Sequence, residues 1–187
     1  MNRRTFDSLL SITGFVLAAI LLAAGGLLTW GANFANNTVH DQLVAQKISF
    51  GAADSFSDEC LKPLAGWADK AVDSADGAKA YSDMIKCHLE SAFVKMGLKA
   101  DETYSTLGRV MAMDQTSDEA KLLNGARDLA FKGETLRSIL LTAYAFGTIG
   151  AVAAIASYVA YGVGALMLLL ALLGLAHARR TPADATL

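Results

Sequence analysis

Ser138-Ile-Leu-Leu-Thr-Ala-Tyr-Ala-Phe-Gly-Thr-Ile-Gly-Ala-Val-Ala-Ala-Ile-Ala-Ser-Tyr-Val-Ala-Tyr-Gly-Val-Gly-Ala-Leu-Met-Leu-Leu-Leu-Ala-Leu-Leu-Gly-Leu-Ala176 is a run of 39 residues without a charged side chain. As one straight helix it would reach ~58 Å, nearly twice the ~30 Å hydrocarbon core of a bilayer. Two arrangements fit that length: a hairpin of two short spans, or one span preceded by a helix that stands proud of the membrane. A hairpin needs a turn between residues 156 and 164, and lipid offers no partners for the backbone groups such a turn would free. That stretch has no Pro, Asn, Asp or charge, only Ser157 and the glycines Gly162 and Gly164. The sequence therefore predicts one continuous helix, with residues 153–176 as the span and 138–152 as its membrane-proximal part.

A second uncharged run lies upstream, Ser8-Leu-Leu-Ser-Ile-Thr-Gly-Phe-Val-Leu-Ala-Ala-Ile-Leu-Leu-Ala-Ala-Gly-Gly-Leu-Leu-Thr-Trp30. It reaches ~33 Å as a helix, enough to cross once. Its competitor is a secretory signal, for which Arg3 and Arg4 would be the basic region. Signal cores are usually only ~7–15 residues long, and no small-x-small cleavage site follows. Arg3-Arg4-Thr5-Phe6 matches only the start of a twin-arginine signal. An uncleaved anchor is predicted, with Trp30 at the membrane interface.

Composition alone would not separate this 187-residue chain, 53% hydrophobic, from a globular protein; the distribution of charge does. Arg3 and Arg4 face Asp7 at one tip, and Arg179 and Arg180 face Asp184 at the other. Residues 31–137 hold 12 Lys/Arg against 16 Asp/Glu, a balance of −4. Arginines hugging the outer ends of both spans place both tips in the cytoplasm. The predicted fold class is all-α: two transmembrane helices flanking an extracytoplasmic helical bundle, in a plasma membrane. In order, residues 1–7 form a cytoplasmic tail, 8–30 the first span, 31–137 the outer domain, 138–152 the proximal helix, 153–176 the second span and 177–187 a second cytoplasmic tail. A net charge of −2, with no clustered basic face, excludes a nucleic-acid partner.

Within 31–137 the periodicity is helical and no alternating strand pattern competes. Thr38-Val-His-Asp41 has capping-box spacing ahead of a helix to about residue 50, either separate from the anchor or continuous with it. Residues 51–58 read as loop, and a short helix over 61–72 carries Pro63 in its first turn. Residues 79–96 place Tyr81, Met84, Ile85, His88, Leu89, Ala92, Phe93 and Met96 on one buried stripe, with Gly97 as C-cap. A helix over 101–113 is expected to bury Tyr104, Leu107, Val110 and Met111. Ser117 caps another, over 118–131, that ends near Gly133.

Both cysteines, Cys60 and Cys87, fall in this middle region. Outside the cytoplasm a disulfide persists; it would close a loop of roughly 28 residues and contribute ~3 kcal/mol. Two unlinked buried thiols are the alternative.

From Leu136, steps of three and four lead through Ile139, Ala143, Phe146, Gly150, Ala153, Ser157, Ala160, Gly164, Met167, Ala171, Gly174 and Ala178. Small residues dominate the middle of that stripe, and the first span offers Gly14, Ala18 and Gly25 at similar steps. Small residues let helix backbones approach closely in lipid, so the stripe marks a packed helix pair or a homo-oligomer, unless it is merely the Gly and Ala common in any span.

Chemistry is harder to find. His177 sits at the membrane edge, His40 and Asp41 in a helix first turn, and His88 on the buried stripe as a core histidine. Cys87 and His88 are adjacent on a helix and do not face one another. Asp54, Asp58 and Glu59 lack calcium-loop spacing and read as a solvated face. No nucleophile stands in a Gly-x-Ser-x-Gly context. The spans contain no ionisable residue of the kind that proton relays and ion-coupled transporters use. No catalytic residue, cofactor or metal is expected, and the chain reads as a non-enzyme.

Lys79-Ala-Tyr-Ser-Asp-Met-Ile-Lys-Cys-His-Leu89, Gly133-Glu-Thr-Leu-Arg137 with Ala143-Tyr-Ala-Phe146, and Arg179-Arg-Thr-Pro-Ala-Asp184 resemble a group of actinobacterial two-span integral membrane proteins without an established function. The resemblance extends from Met1-Asn-Arg-Arg-Thr-Phe-Asp-Ser-Leu9 over nearly the whole chain and implies a plasma-membrane location. Some of that group carry an aromatic ring-opening dioxygenase label. Such enzymes hold iron through His and carboxylate ligands, and no usable set is visible here, so no catalytic residue is carried over. The cysteine pair is no part of what the resemblance implies.

The expected function is an accessory or assembly component of the cell envelope, whose spans pair with each other, with further copies or with a membrane-protein partner. A ligand-binding sensory module is the second expectation; its cytoplasmic tails of about ten residues would have to signal through a partner. A small homo-oligomeric channel is the third.

Overall fold

The structure, a computed structural model, describes residues 3–182. The described residues are 81% helical, 3-10 turns included, and contain no strand. Three α-helices, α1 (Arg3–Gln46), α2 (Ala75–Lys95) and α3 (Asp118–Arg180), are joined by short 3-10 turns. Asp184 lies outside the described residues.

Helix α3 is 63 residues long and runs through 156–164 without a break, so the hairpin does not occur. Two expectations merge in it. The helix predicted to stop near Gly133 and the long final helix are one element, because Gly133 is a packing position rather than a terminus. A Cβ there would come within 2.6 Å of Leu89 Cδ1, a side chain of α2. Ser117 does cap the start, accepting the Ala120 amide on Oγ at 3.2 Å.

Helix α1, 44 residues, continues past Trp30 and through Asn33, Asn36 and Asn37. Thr38 therefore caps nothing: its amide already lies within a running helix. The helix stops at Lys47, whose φ of 53° is left-handed and whose amide bonds the Val44 carbonyl at 3.1 Å.

By chain contacts the molecule forms two units, one of Met1–Ala35 with Ile149–Leu187 and the other Asn36–Thr148. The second has two hydrophobic clusters. Val39, Leu43, Phe50, Phe56, Val72 and Leu140 are among the buried residues of the first. Phe93, Leu107 and Val110 pack with Ala120, Leu123, Ala126 and Ala130 in the second. Ile85 of α2 touches both, which explains why this helix does not bury a single stripe. Ala78, Ser82 and Cys87 are buried alongside Leu89 and Phe93, whereas His88 and Met96 are exposed. His88 is thus a surface residue and not the core histidine expected.

Ser74 caps α2 through the Gly77 amide at 3.3 Å. Gly97, at φ 76°, ends it in a left-handed C-cap, with the Leu98 amide on the Phe93 carbonyl at 2.9 Å. The remaining predicted helices shrink to 3-10 turns. Lys62–Trp67 stands where 61–72 was read, Ala53–Phe56 interrupts the expected loop, and Thr106–Ala112 replaces 101–113. In that last turn Leu107 and Val110 are fully buried but Met111 is 70% exposed; Tyr104, which precedes the turn, is 38% exposed. The i, i+3 repeat of a 3-10 turn brings only that pair onto one edge.

Candidate functional site

The described residues hold two built surfaces: a helix seam in the first unit and a charged cleft in the second.

The seam comes from spacing. Along α1, Ser11, Gly14, Ala18, Gly25, Ala32 and Ala35 fall in steps of three, four or their sums; along α3, Gly150, Ser157, Ala160, Gly164, Ala171 and Ala178 do the same. Nearly all are buried, with Gly14 and Ala153 half-buried. The two segments run antiparallel. A Cβ on Gly14 would stand 3.1 Å from the Ala171 Cβ, one on Gly164 3.1 Å from Leu22 Cγ, and one on Gly174 3.7 Å from the Ser11 Cβ. Gly25 receives the ring of Tyr161, whose hydroxyl lies 3.3 Å from Thr29 Oγ1. Backbones approach this closely only where side chains are absent or a single methyl.

Hydroxyls in the seam cost little, because each bonds its own helix. Ser11 Oγ donates to the Asp7 carbonyl and Ser157 Oγ to the Ala154 carbonyl, both at 2.7 Å. The opposite faces are apolar and bare, from Leu9 to Leu27 on α1 and from Ile149 to Leu173 on α3. Both helices are long and apolar enough to cross a membrane, and their most apolar windows are only 11% and 17% buried. The core helix of a water-soluble protein would be mostly covered.

Upstream of Gly150 the expected stripe is out of phase. Leu136, Ile139 and Phe146 are exposed, while Gly133, Leu140 and Gly147 are buried. The missed signal was glycine itself: a Cβ on Gly147 would strike the Ala75 methyl just as one on Gly133 would strike Leu89. Arg3, Arg4, Arg179 and Arg180 are all exposed and lie at one end of the antiparallel pair. Between them His177 Nε2 stands 3.8 Å from Asp7 Oδ2.

The cleft, about 450 Å³, is walled by Lys86, Glu90, Phe93, Glu102, Glu134 and Arg137. Its charges are committed to the fold. Glu102 accepts both terminal nitrogens of Arg109 at 2.8 and 2.9 Å and the Thr106 hydroxyl at 2.6 Å. These hydrogen bonds, the guanidinium first, hold its carboxyl below the usual range. Glu134 accepts the Tyr104 amide at 2.9 Å, and Arg137 donates to the Ser82 carbonyl at 3.2 Å. Tyr104 carries Arg127 over its ring at 4.0 Å.

Cys60 and Cys87 stand at disulfide distance, their Cα atoms 5.9 Å apart. Cys87 lies in the first cluster and Cys60 on an exposed loop, so the pair ties that loop to α2. The histidines remain apart: His40 Nδ1 lies 2.8 Å from the Asp73 carbonyl, binding α1 to the loop before α2. Asp54 and Asp58 are exposed, and Glu59 pairs only with Lys62. Among the described residues no three His, Cys, Asp or Glu gather into a metal-binding group. Compared with protein-family models, with curated proteins and with solved structures, the chain matches none.

Proposed function

We propose that this chain is a non-catalytic plasma-membrane protein that crosses twice, keeps both termini in the cytoplasm and presents residues 36–148 outside as an interaction domain. Its role would be that of an accessory or assembly component of the envelope. The observation that carries the proposal is the pairing of a small-residue seam with bare apolar faces: the helices cover each other along one edge and leave the rest for lipid. The seam also favours an anchor over a cleaved signal, since removal of α1 would uncover Gly150, Ser157, Ala160 and Gly164. Arginines at one end of the pair support the orientation, and a cysteine pair at bonding distance suits an oxidising compartment.

A sensory role is favoured by one feature, the 450 Å³ cleft, which falls within the size range of small-molecule sites. Its charges already hold the local fold, so we rank it second. Purification in mild detergent distinguishes the two. The accessory role predicts a partner at fixed stoichiometry through successive columns. A lone protein whose melting shifts with one class of metabolite would support the sensor instead, and conductance in planar bilayers would support a channel.

A further inference from the structure

We infer that the arginine end of the helix pair holds one anionic glycerophospholipid, with an acyl chain in a groove between α1 and α3 and the phosphate in the adjoining basic pocket. The inference rests on the membrane reading proposed above and adds a ligand to it. The groove, about 530 Å³, has a floor of small residues, Gly14, Ala171 and Gly174, and walls that include Leu10, Leu17 and Leu170. It runs along α1 from Asp7 to Leu17, ten residues or ~15 Å, which is half the hydrocarbon thickness and so the depth of one leaflet.

At its charged end lies a second cavity of about 260 Å³ lined by Arg3, His177, Arg180, Thr181 and Pro182. His177 borders both cavities, so they adjoin. Among the described residues Asp7 is the acid at the junction; it lines the groove and not the basic pocket, its buried Oδ2 3.8 Å from His177 Nε2, so the two guanidiniums of Arg3 and Arg180 are the charges that border the pocket itself. A zwitterionic headgroup would bring a cation against those two guanidiniums. A free phosphate would satisfy them but leave the groove empty. Charge complementarity at one end and an apolar leaflet-deep groove at the other select a lipid that is both anionic and chained.

The test uses the full chain in nanodiscs of phosphatidylcholine or phosphatidylglycerol with identical acyl chains, followed by native mass spectrometry of lipid retained on release. Incorporation into discs checks the membrane reading; the headgroup preference checks this one. One phosphatidylglycerol per chain should be retained in preference to phosphatidylcholine. Arg3→Gln with Arg180→Gln should weaken retention roughly 30-fold, from about a fivefold loss per basic residue near an anionic headgroup. Thr13→Trp, on the groove wall and off the seam, should displace the lipid while leaving both arginines in place. Equal retention of the two lipids, retention unchanged in both variants, or stabilisation by inorganic phosphate as strong as by the lipid would each overturn the inference.

Discussion

Reduction of the Cys60–Cys87 pair changes the chain's connectivity without altering a packed atom, and so isolates one contribution to stability. The cysteines are 27 positions apart. Loop-closure entropy for that separation gives about 3.5 kcal/mol of stabilisation at 25 °C, exerted on the unfolded chain. A domain of roughly a hundred residues loses about 4 °C in Tm per kcal/mol, so reductant should lower the melting of the 36–148 unit by about 14 °C. The probe is built in: Trp67 stacks on Phe50 at 5.6 Å inside the first cluster, so its near-UV signal reports on this core. Trp30, the other tryptophan, is 69% exposed and contributes a flat background. Cys60→Ser with Cys87→Ala should melt low with and without reductant; the alanine at the buried position avoids placing a hydroxyl in the cluster. If the wild type shows the same melting and the same gel mobility in both conditions, the sulfurs are separate thiols and the reasoning fails.

Three further outcomes follow from the geometry. Ser11→Cys with Gly174→Cys, in a chain whose native cysteines are replaced, should crosslink within one molecule under mild oxidation, because the Cβ positions lie 3.7 Å apart; no mobility shift would refute the seam's register. Phe93→Ala removes a ring that is 1% exposed and should cost about 3–5 kcal/mol in denaturant melts of the 36–148 unit. Glu102→Gln tests the Arg109 bridge through pH. The carboxyl is held below its ordinary 4.5, so its stabilising effect is present above that pH and fades as pH falls through the lower folded value. The melting advantage of wild type over Glu102→Gln should therefore be seen at pH 7 and shrink on acidification below about 4.5. Because the Arg109 side chain is 45% exposed, that advantage should be small.

What the sequence reveals divides by the force that sets each element. Charge-free length is a strong signal, because a bend within lipid has no partners; it predicted the unbroken passage of α3 through Ser157. The small residues in steps of three and four fall, from Gly150 onward, on the face of α3 that is buried, with Ala153 and Gly174 half-buried. The upstream phase failed where a different force acts. There α3 packs on α2, and the contact points are the glycines Gly133 and Gly147, which local propensity reads as breakers or stops. His88 and Met96 were misplaced because α2 lies between two clusters and buries parts of two faces. Met111 was misplaced because a 3-10 turn does not follow the 3.6-residue period, and Tyr104 because it precedes that turn and belongs to no helix. Thr38 carries a start signal that the preceding helix overrides. The pocket beside Arg3 and Arg180 was invisible in the sequence, which showed the arginines but not the groove leading to them.

Impermeant thiol labelling of intact cells tests the central claim most directly. In a background without native cysteines, Ser55→Cys should react from outside, and Pro182→Cys should react only after the membrane is opened. Protection of position 55, or labelling of position 182 in sealed cells, would contradict a chain that crosses twice and keeps its arginine ends within.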